Sequence, residues 1–303
     1  MTNTPSLRIS VVLTCFNRRE RTLSCLRSLF QAVDAYAVCP LDVSVFLTDD
    51  GCTDGTAEAV KAAFSEHDIC ITRSEGNLYW ARGMCLSWKK ALEKRPQTDF
   101  FLLVNDDTEL LSGCFEELFR TYDYSLKKTG NEGLCSGLIV SPTHQECVTY
   151  GGKRWRSKWL GINELVEPQG EPLPCAETNA NLLLVPRSVV ECIGIFHDGY
   201  QHGCADFDYS MKAARRGIPS FVTGLPCGLC ERDHPDDRAK QQRLMDMTLA
   251  QRKAYFKHPL TSRHDHLLFT RRNIPLRYPI VLVGRFMNLY LPKLYNRLFG
   301  FRN

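Results

Sequence analysis

The chain has 303 residues, 44% hydrophobic and 24% charged, enough to bury the core of one large α/β domain or two small ones. A net charge of +4 at pH 7 is too small to argue for a nucleic-acid partner. The basic excess is local: from Gln251 onward eleven Lys and Arg face one acid, Asp265, so the body is mildly acidic and the end strongly basic.

In chain order, Arg8 to Thr14 reads as a buried strand, and Cys15-Phe16-Asn17-Arg18-Arg19 as the turn leaving it. Leu23, Leu26, Leu29, Phe30 and Val33 then fall at helical spacing. Asp42 to Thr48 is a second strand ending in Asp49-Asp50-Gly51, after which Thr53 or Asp54 can cap a helix running to about Phe64. Asp68 to Thr72 is a short third strand, followed by Gly76-Asn77-Leu78-Tyr79-Trp80-Ala81-Arg82-Gly83 and a helix to about Lys94. Phe100 to Val104 is an unbroken apolar run that enters Asn105-Asp106-Asp107-Thr108-Glu109, the pattern of a strand buried on both faces of a parallel sheet. Strands alternating with helices of this length imply βαβ units.

Beyond residue 112 the alternation loosens. Ser112 to Lys128 is expected as a helix and Leu134 to Val140 as a strand. Residues 141–180 are rich in Pro, Gly and Trp with little periodicity, which predicts an irregular binding loop or lid. Asn181 to Pro186 is expected as a strand, 188–192 and 206–217 as helices, 219–223 as a closing strand and 236–256 as one polar helix. From Tyr278 to Phe301, apolar and aromatic residues are interrupted by Arg285, Lys293 and Arg297. Charges at that density, with Pro292, argue against a membrane-spanning helix; an amphipathic helix on a membrane surface fits better than packing on the domain or a second subunit.

Several of the fourteen cysteines sit in apolar runs where Cys acts as a small hydrophobe. Residues 1–8 are short and polar, unlike a signal peptide, so a cytosolic protein with free thiols is expected. Cys227-Gly-Leu-Cys230 is a lone CxxC without a second Cys pair, and structural zinc is not expected.

Four polar clusters follow successive strands: Thr14/Phe16/Asn17, Asp49/Asp50, Asn77/Arg82 and Asp106/Asp107. Strand ends of a parallel sheet share one edge, so these residues are brought to one cleft. Neither a GxxxxGK[ST] loop nor a GxGxxG after the first strand is present. Phosphates must be handled another way, and adjacent carboxylates offer hard oxygen ligands for Mg²⁺ or Mn²⁺; an acidic turn capping the next helix is the alternative.

The runs Val-Val-Leu-Thr-Cys-Phe-Asn-Arg, Thr-Asp-Asp-Gly-Cys-Thr-Asp-Gly-Thr, Gly-Asn-Leu-Tyr-Trp-Ala-Arg-Gly and Leu-Val-Asn-Asp-Asp-Thr-Glu-Leu resemble the successive motifs of family 2 inverting glycosyltransferases of GT-A fold. Asn179-Ala-Asn181-Leu-Leu-Leu-Val-Pro-Arg and Ala205-Asp206-Phe207-Asp208-Tyr-Ser-Met-Lys continue the match, which covers about residues 8–235. The resemblance implies an α/β, Rossmann-like, mostly parallel sheet flanked by helices. A nucleotide-binding part (8–112) and an acceptor part (113–235) would form a domain over 1–235, with 236–303 a helical extension.

It also implies roles. Thr14, Phe16 and Asn17 would meet the nucleotide, with Phe16 where relatives stack a tyrosine, and Asp49 or Asp50 would hydrogen-bond the base. Asn77, Trp80 and Arg82 would lie along the nucleotide sugar. Asn105-Asp106-Asp107 matches the DxD position, making Asp107 the expected metal ligand with Asp106 beside it, and His234 a third. Asp206 matches the catalytic base, with Asp208 close by; the usual Glu-Asp is here Ala205-Asp206. Asn179, Asn181 and Trp155 are candidates for the acceptor. The expected activity is Mn²⁺- or Mg²⁺-dependent transfer from a UDP- or dTDP-sugar to a glycan or lipid-linked acceptor, with inversion. Surface-polysaccharide assembly on the cytoplasmic face of an inner membrane is the expected setting, and a homodimer is compatible with it. A nucleotidyltransferase sharing the sheet, and a non-catalytic glycan-binding or scaffold protein, are the alternatives.

Overall fold

The computed structural model describes residues 6–232, 237–261 and 263–299. Its first part alternates regularly: β1 (Leu7–Cys15), α1 (Arg19–Ala35), β2 (Leu41–Asp49), α2 (Thr56–Ala63), β3 (Ile69–Arg73), α3 (Tyr79–Lys94) and β4 (Phe100–Val104). Then come β5 (Glu109–Leu110), α4 (Cys114–Thr129) and β6 (Leu134–Val140). Five short strands follow: β7 (Val148–Tyr150), β8 (Gly152–Ser157), β9 (Ile162–Leu165), β10 (Leu173–Pro174) and β11 (Glu177–Thr178). The body closes with β12 (Leu182–Pro186), α5 (Arg187–Ile193), α6 (Ala205–Ala214) and β13 (Ser220–Leu229). The end is helical: α7 (Asp237–Asp246), α8 (Leu249–Lys257), α9 (His264–Asn273), α10 (Tyr278–Tyr290) and α11 (Pro292–Phe299).

The main sheet runs β10-β13-β6-β12-β4-β1-β2-β3, and its longest ladders are parallel. The period of two in β4 shows why it sits at the centre: Phe100, Leu102 and Val104 join one apolar cluster with α1 and α4, while Phe101 and Leu103 join the other with α3, α5 and α6. Each such leucine contributes about 1.5–3 kcal/mol when buried. Strand order reverses around β1, which is flanked by β2 and β4, and a crevice beyond the strand ends is the place an open sheet offers a ligand. Strand β12 runs antiparallel to β4, with Leu182 opposite Val104, so residues 179–181 enter from that same edge. Helix α3 lies directly on β1 and β2 because Gly83 has no side chain: a Cβ there would stand 2.3 Å from Thr14 Oγ1.

Three expectations need correction. Residues 141–180 are not one irregular loop; β11-β8-β9 form a small antiparallel sheet, helped by the cross-strand Arg154–Glu164 pair at 2.7 Å. The expected closing strand continues through Pro226 to Leu229, where it pairs with β6 and β5. The polar helix divides at Met247: Thr248 accepts from Gln251 N while the Gln251 side chain accepts from Thr248 N, a capping box that starts a new helix.

Candidate active site

The acidic turn after β4 is held from two sides. Asn105 N donates to Asn181 O (3.1 Å), and Asn105 Oδ1 accepts from Trp80 Nε1 (2.7 Å). The first residue of the DxD-like run and Trp80 are therefore tethered to each other. Asp106 is buried, and burial pushes its carboxyl up to about 7 against the pull of Arg18. Arg18 Nη1 bridges Asp106 Oδ1 (3.2 Å) and Asp107 Oδ2 (2.7 Å), with Arg21 3.8 Å from the same Asp107 oxygen. The other Asp107 oxygen lies 3.7 Å from Cys230 Sγ. Two adjacent carboxylates already drawing cations fit a hard divalent ion such as Mn²⁺ or Mg²⁺. Among the described residues no group of three or more His, Cys, Asp or Glu is gathered for a metal; Asp106 and Asp107 are the pair that could hold one, with phosphate or water oxygens completing its shell. His234 lies outside the described residues.

Around the turn stand the loops after β1, β2 and β3. Phe16, in the loop after β1, is 53% exposed. Thr14 is buried, and its hydroxyl donates to Thr48 O (3.2 Å) beneath α3. Asn17, in the left-handed region at φ 50°, accepts from Thr53 N (2.8 Å) and so ties the first loop to the second. The neighbouring carboxylates Asp49 and Asp50 have different work. Asp50 accepts from Leu78 N (3.1 Å), Tyr79 N (2.9 Å) and the Ser74 hydroxyl, which fixes the third loop. Asp49 accepts from Cys52 N (2.7 Å) through one oxygen, while the other is buried without a hydrogen bond, 3.7 Å from Arg73 Nε. Of the pair, Asp49 is the one whose second oxygen makes no hydrogen bond, although it is buried beside Arg73. Gly51 and Gly76, both at positive φ, bring the second and third loops into contact, and a Cβ on Gly51 would stand 2.7 Å from Gly76 Cα. Asn77 and Arg82 are exposed beyond them.

On the β12 side, Asp206 occupies the first turn of α6. Its Oδ2 accepts from Ala180 N (3.2 Å) and its Oδ1 from Phe207 N (2.9 Å). Burial raises its pKa, and these N–H groups and Lys153 act against that. Cys204, just before it, is held at φ 63°, where a non-glycine residue stores strain. Ala180 thus grips Asp206 while its neighbour Asn181 pairs with Asn105, joining Asp206 to the acidic turn through consecutive residues. Asn179 Oδ1 is buried without a partner, and Asn181 Nδ2 stands 4.0 Å from Cys230 Sγ.

Asp208 does something else: it accepts from Arg272 Nε (3.0 Å) and Asn273 Nδ2 (2.7 Å), which anchors α6 to α9. A second clasp comes from the same helix. Asp265 accepts from the backbone N–H of Gln201, His202 and Gly203 (3.0, 2.7 and 2.8 Å), the loop that leads to Asp206. Trp155 packs against the second core with its indole N–H buried and unpaired.

Sequence reasoning missed Glu177 and Lys153, which face each other across β11 and β8. Burial pushes Glu177 up to about 7 although it accepts from Asn163 Nδ2 (2.7 Å), and Lys153 Nζ lies 4.4 Å from the centre of the Phe207 ring, beside Asp206. The signal was a period of two: Glu177, Asn179 and Asn181 alternate along one approach to β12.

Residues 10–126 match glycosyl transferase family 2. No curated protein sequence matches the chain. Among solved structures, S. aureus TarS 1–349 in complex with UDP-GlcNAc is similar at 12% identity, with 97% of this chain and 76% of that one covered and a TM-score of 0.52. The mannosyltransferase PcManGT from Pyrobaculum calidifontis, in complex with GDP-Man and Mn²⁺, is similar at 14% identity, with 98% and 84% covered and a TM-score of 0.50. GalNAc-T7 with UDP, GalNAc and Mn²⁺ is similar at 15% identity over 74% of this chain but 43% of its own, with a TM-score of 0.53. At these identities the likeness is one of fold.

Proposed function

We propose that this chain, a glycosyltransferase whose residues 10–126 belong to family 2, moves a sugar from a UDP- or dTDP-sugar to a glycan or lipid-linked acceptor with inversion. The observation that carries the reading is the pair of contacts at residues 180 and 181: one holds Asp206 and the other holds the turn of Asp106 and Asp107. A proton acceptor and an anion-handling site then share one cleft.

Exposed Phe16 offers a ring to stack a base, and Asp49, whose second oxygen makes no hydrogen bond but faces Arg73, is the candidate acceptor for its N–H. Asp206 takes the proton from an acceptor hydroxyl as that oxygen attacks the anomeric carbon, and the nucleoside diphosphate leaves from the opposite face. A divalent ion held by Asp107 and Asp106 supplies positive charge to that leaving group when bound. Asn179, whose buried Oδ1 has no partner, and Asn181 are the amides assigned to orient hydroxyls in this reading. Lys153 keeps Asp206 and Glu177 from repelling each other unopposed.

The acceptor side is read from α10 and α11. Ile280, Val283, Phe286, Leu298 and Phe299 are each more than half exposed, with Arg285, Lys293 and Arg297 among them. Among the described residues no helix is long and apolar enough to cross a membrane. An apolar face edged by cations suits an anionic lipid surface, where a lipid-linked acceptor would be met; a second copy of the chain is the other candidate occupant.

Incubation with UDP-, dTDP- and GDP-sugars, with and without Mn²⁺, tests the reaction. Mn²⁺-dependent release of a nucleoside diphosphate supports it. Pyrophosphate release would indicate a nucleotidyltransferase, and no release from any donor would leave only a binding role.

A further inference from the structure

Arg18 occupies a position that the family reading leaves without a role. It is the N-cap residue of α1, directly after Phe16 and Asn17, and its Nη1 touches both acids of the turn, at 3.2 and 2.7 Å. A divalent ion needs those carboxylate oxygens at about 2.0–2.6 Å. An ion at that distance and a guanidinium nitrogen on the same oxygens would be two cations a few ångströms apart, so the two exclude each other. The backbone of Arg18 is fixed independently, since its carbonyl accepts from Thr22 N (2.9 Å) and the Thr22 hydroxyl (3.0 Å). The side chain is 43% exposed and has solvent to swing into. The loop it leaves is the one that faces the nucleotide, where a guanidinium finds in a diphosphate a partner as good as a carboxylate.

We infer that Arg18 is an exchangeable counter-ion of the acidic turn: it competes with the divalent ion for Asp106 and Asp107 and passes to the donor diphosphate when the ion takes its place. The inference rests on the reading of Asp106 and Asp107 as the metal site. It makes metal and nucleotide binding mutually supportive, because each ligand compensates the exchange that the other requires.

Mn²⁺ binding to the full chain, measured by calorimetry or by the electron paramagnetic resonance of free Mn²⁺, separates the two claims. In the absence of nucleotide, Arg18→Gln is expected to bind Mn²⁺ about tenfold more tightly than wild type, a gain that a merely structural role would not give. With UDP, dTDP or GDP, whichever binds best, wild type is expected to gain Mn²⁺ affinity and Arg18→Gln to lose most of that gain. Equal affinities in wild type and Arg18→Gln, with Asp107→Asn losing Mn²⁺, would overturn the exchange and leave the metal site standing. Undiminished Mn²⁺ binding by Asp107→Asn would remove the metal site and the exchange together. A thermal midpoint for Arg18→Gln close to wild type certifies that the variant folds.

Discussion

Replacing Asp265 by alanine removes one carboxylate, its contact with His264 Nδ1 (3.0 Å), and three backbone hydrogen bonds from Gln201, His202 and Gly203, all in the loop that delivers Asp206. Hydrogen bonds to a charged group contribute about 1.5–3 kcal/mol each. The three donors are half-buried, so water recovers part of the loss, and about 3 kcal/mol is the expected net cost. With an unfolding entropy of about 2 cal/mol/K per residue over this chain, the thermal midpoint should fall by about 5 °C. Turnover should fall by about tenfold or more, because a small displacement of a reacting group is costly. Burial pushes the Asp265 carboxyl up, but His264 and the three N–H groups outweigh it and hold the pKa below the usual value. A depressed folded-state pKa means that the clasp acts in full above about pH 4 and fades as pH falls through the lower folded value. The gap between wild type and Asp265→Ala should therefore close in acid. Scanning fluorimetry from pH 3 to 8, with turnover measured at pH 7, checks this. A midpoint within 1 °C of wild type at neutral pH, with unchanged turnover, would refute the reasoning.

Asp206→Asn should keep donor binding, read by calorimetry with UDP and Mn²⁺, while turnover drops by about 10²–10⁴-fold. Because burial raises the Asp206 pKa, wild-type turnover should decline as pH falls through that raised value, and near-normal turnover in the variant would take the base role away from this residue. Ending the chain before Tyr278 retains α9 and both of its clasps. It should release the protein from anionic liposomes with a modest fall in the thermal midpoint, since buried Arg252 loses its bond to Leu289 O (2.7 Å), and continued sedimentation with the vesicles would count against the lipid surface.

The sheet and its acidic edge were legible because they follow from local periodicity. Phe100 to Val104 reads as a strand covered on both faces, and whatever follows such a strand in a βαβ array arrives at one rim. The division of labour between Asp49 and Asp50 was not legible, since it depends on the backbone of Leu78 and Tyr79 folding back from the third loop. The anchoring of Asp208 was hidden for the same reason: Arg272 and Asn273 stand more than sixty residues away. Glu177 and Lys153 were overlooked because their strands are short and their region reads as Pro- and Gly-rich, although the alternation was present. The break at Met247 was written in the sequence as Thr248 and Gln251, a start signal inside an otherwise continuous polar pattern.

The touching glycines at 51 and 76 leave the floor of the proposed nucleotide cleft no slack. Any side chain at Gly51 would push into backbone, and both positions hold a φ that other residues resist. On the proposed reading, changing which nucleobase is accepted should therefore be attempted at Phe16 and Asn77, whose side chains are exposed. Diversity of donor choice among variants of this scaffold is expected to accumulate at those two rims, with the double-glycine seam kept as it is.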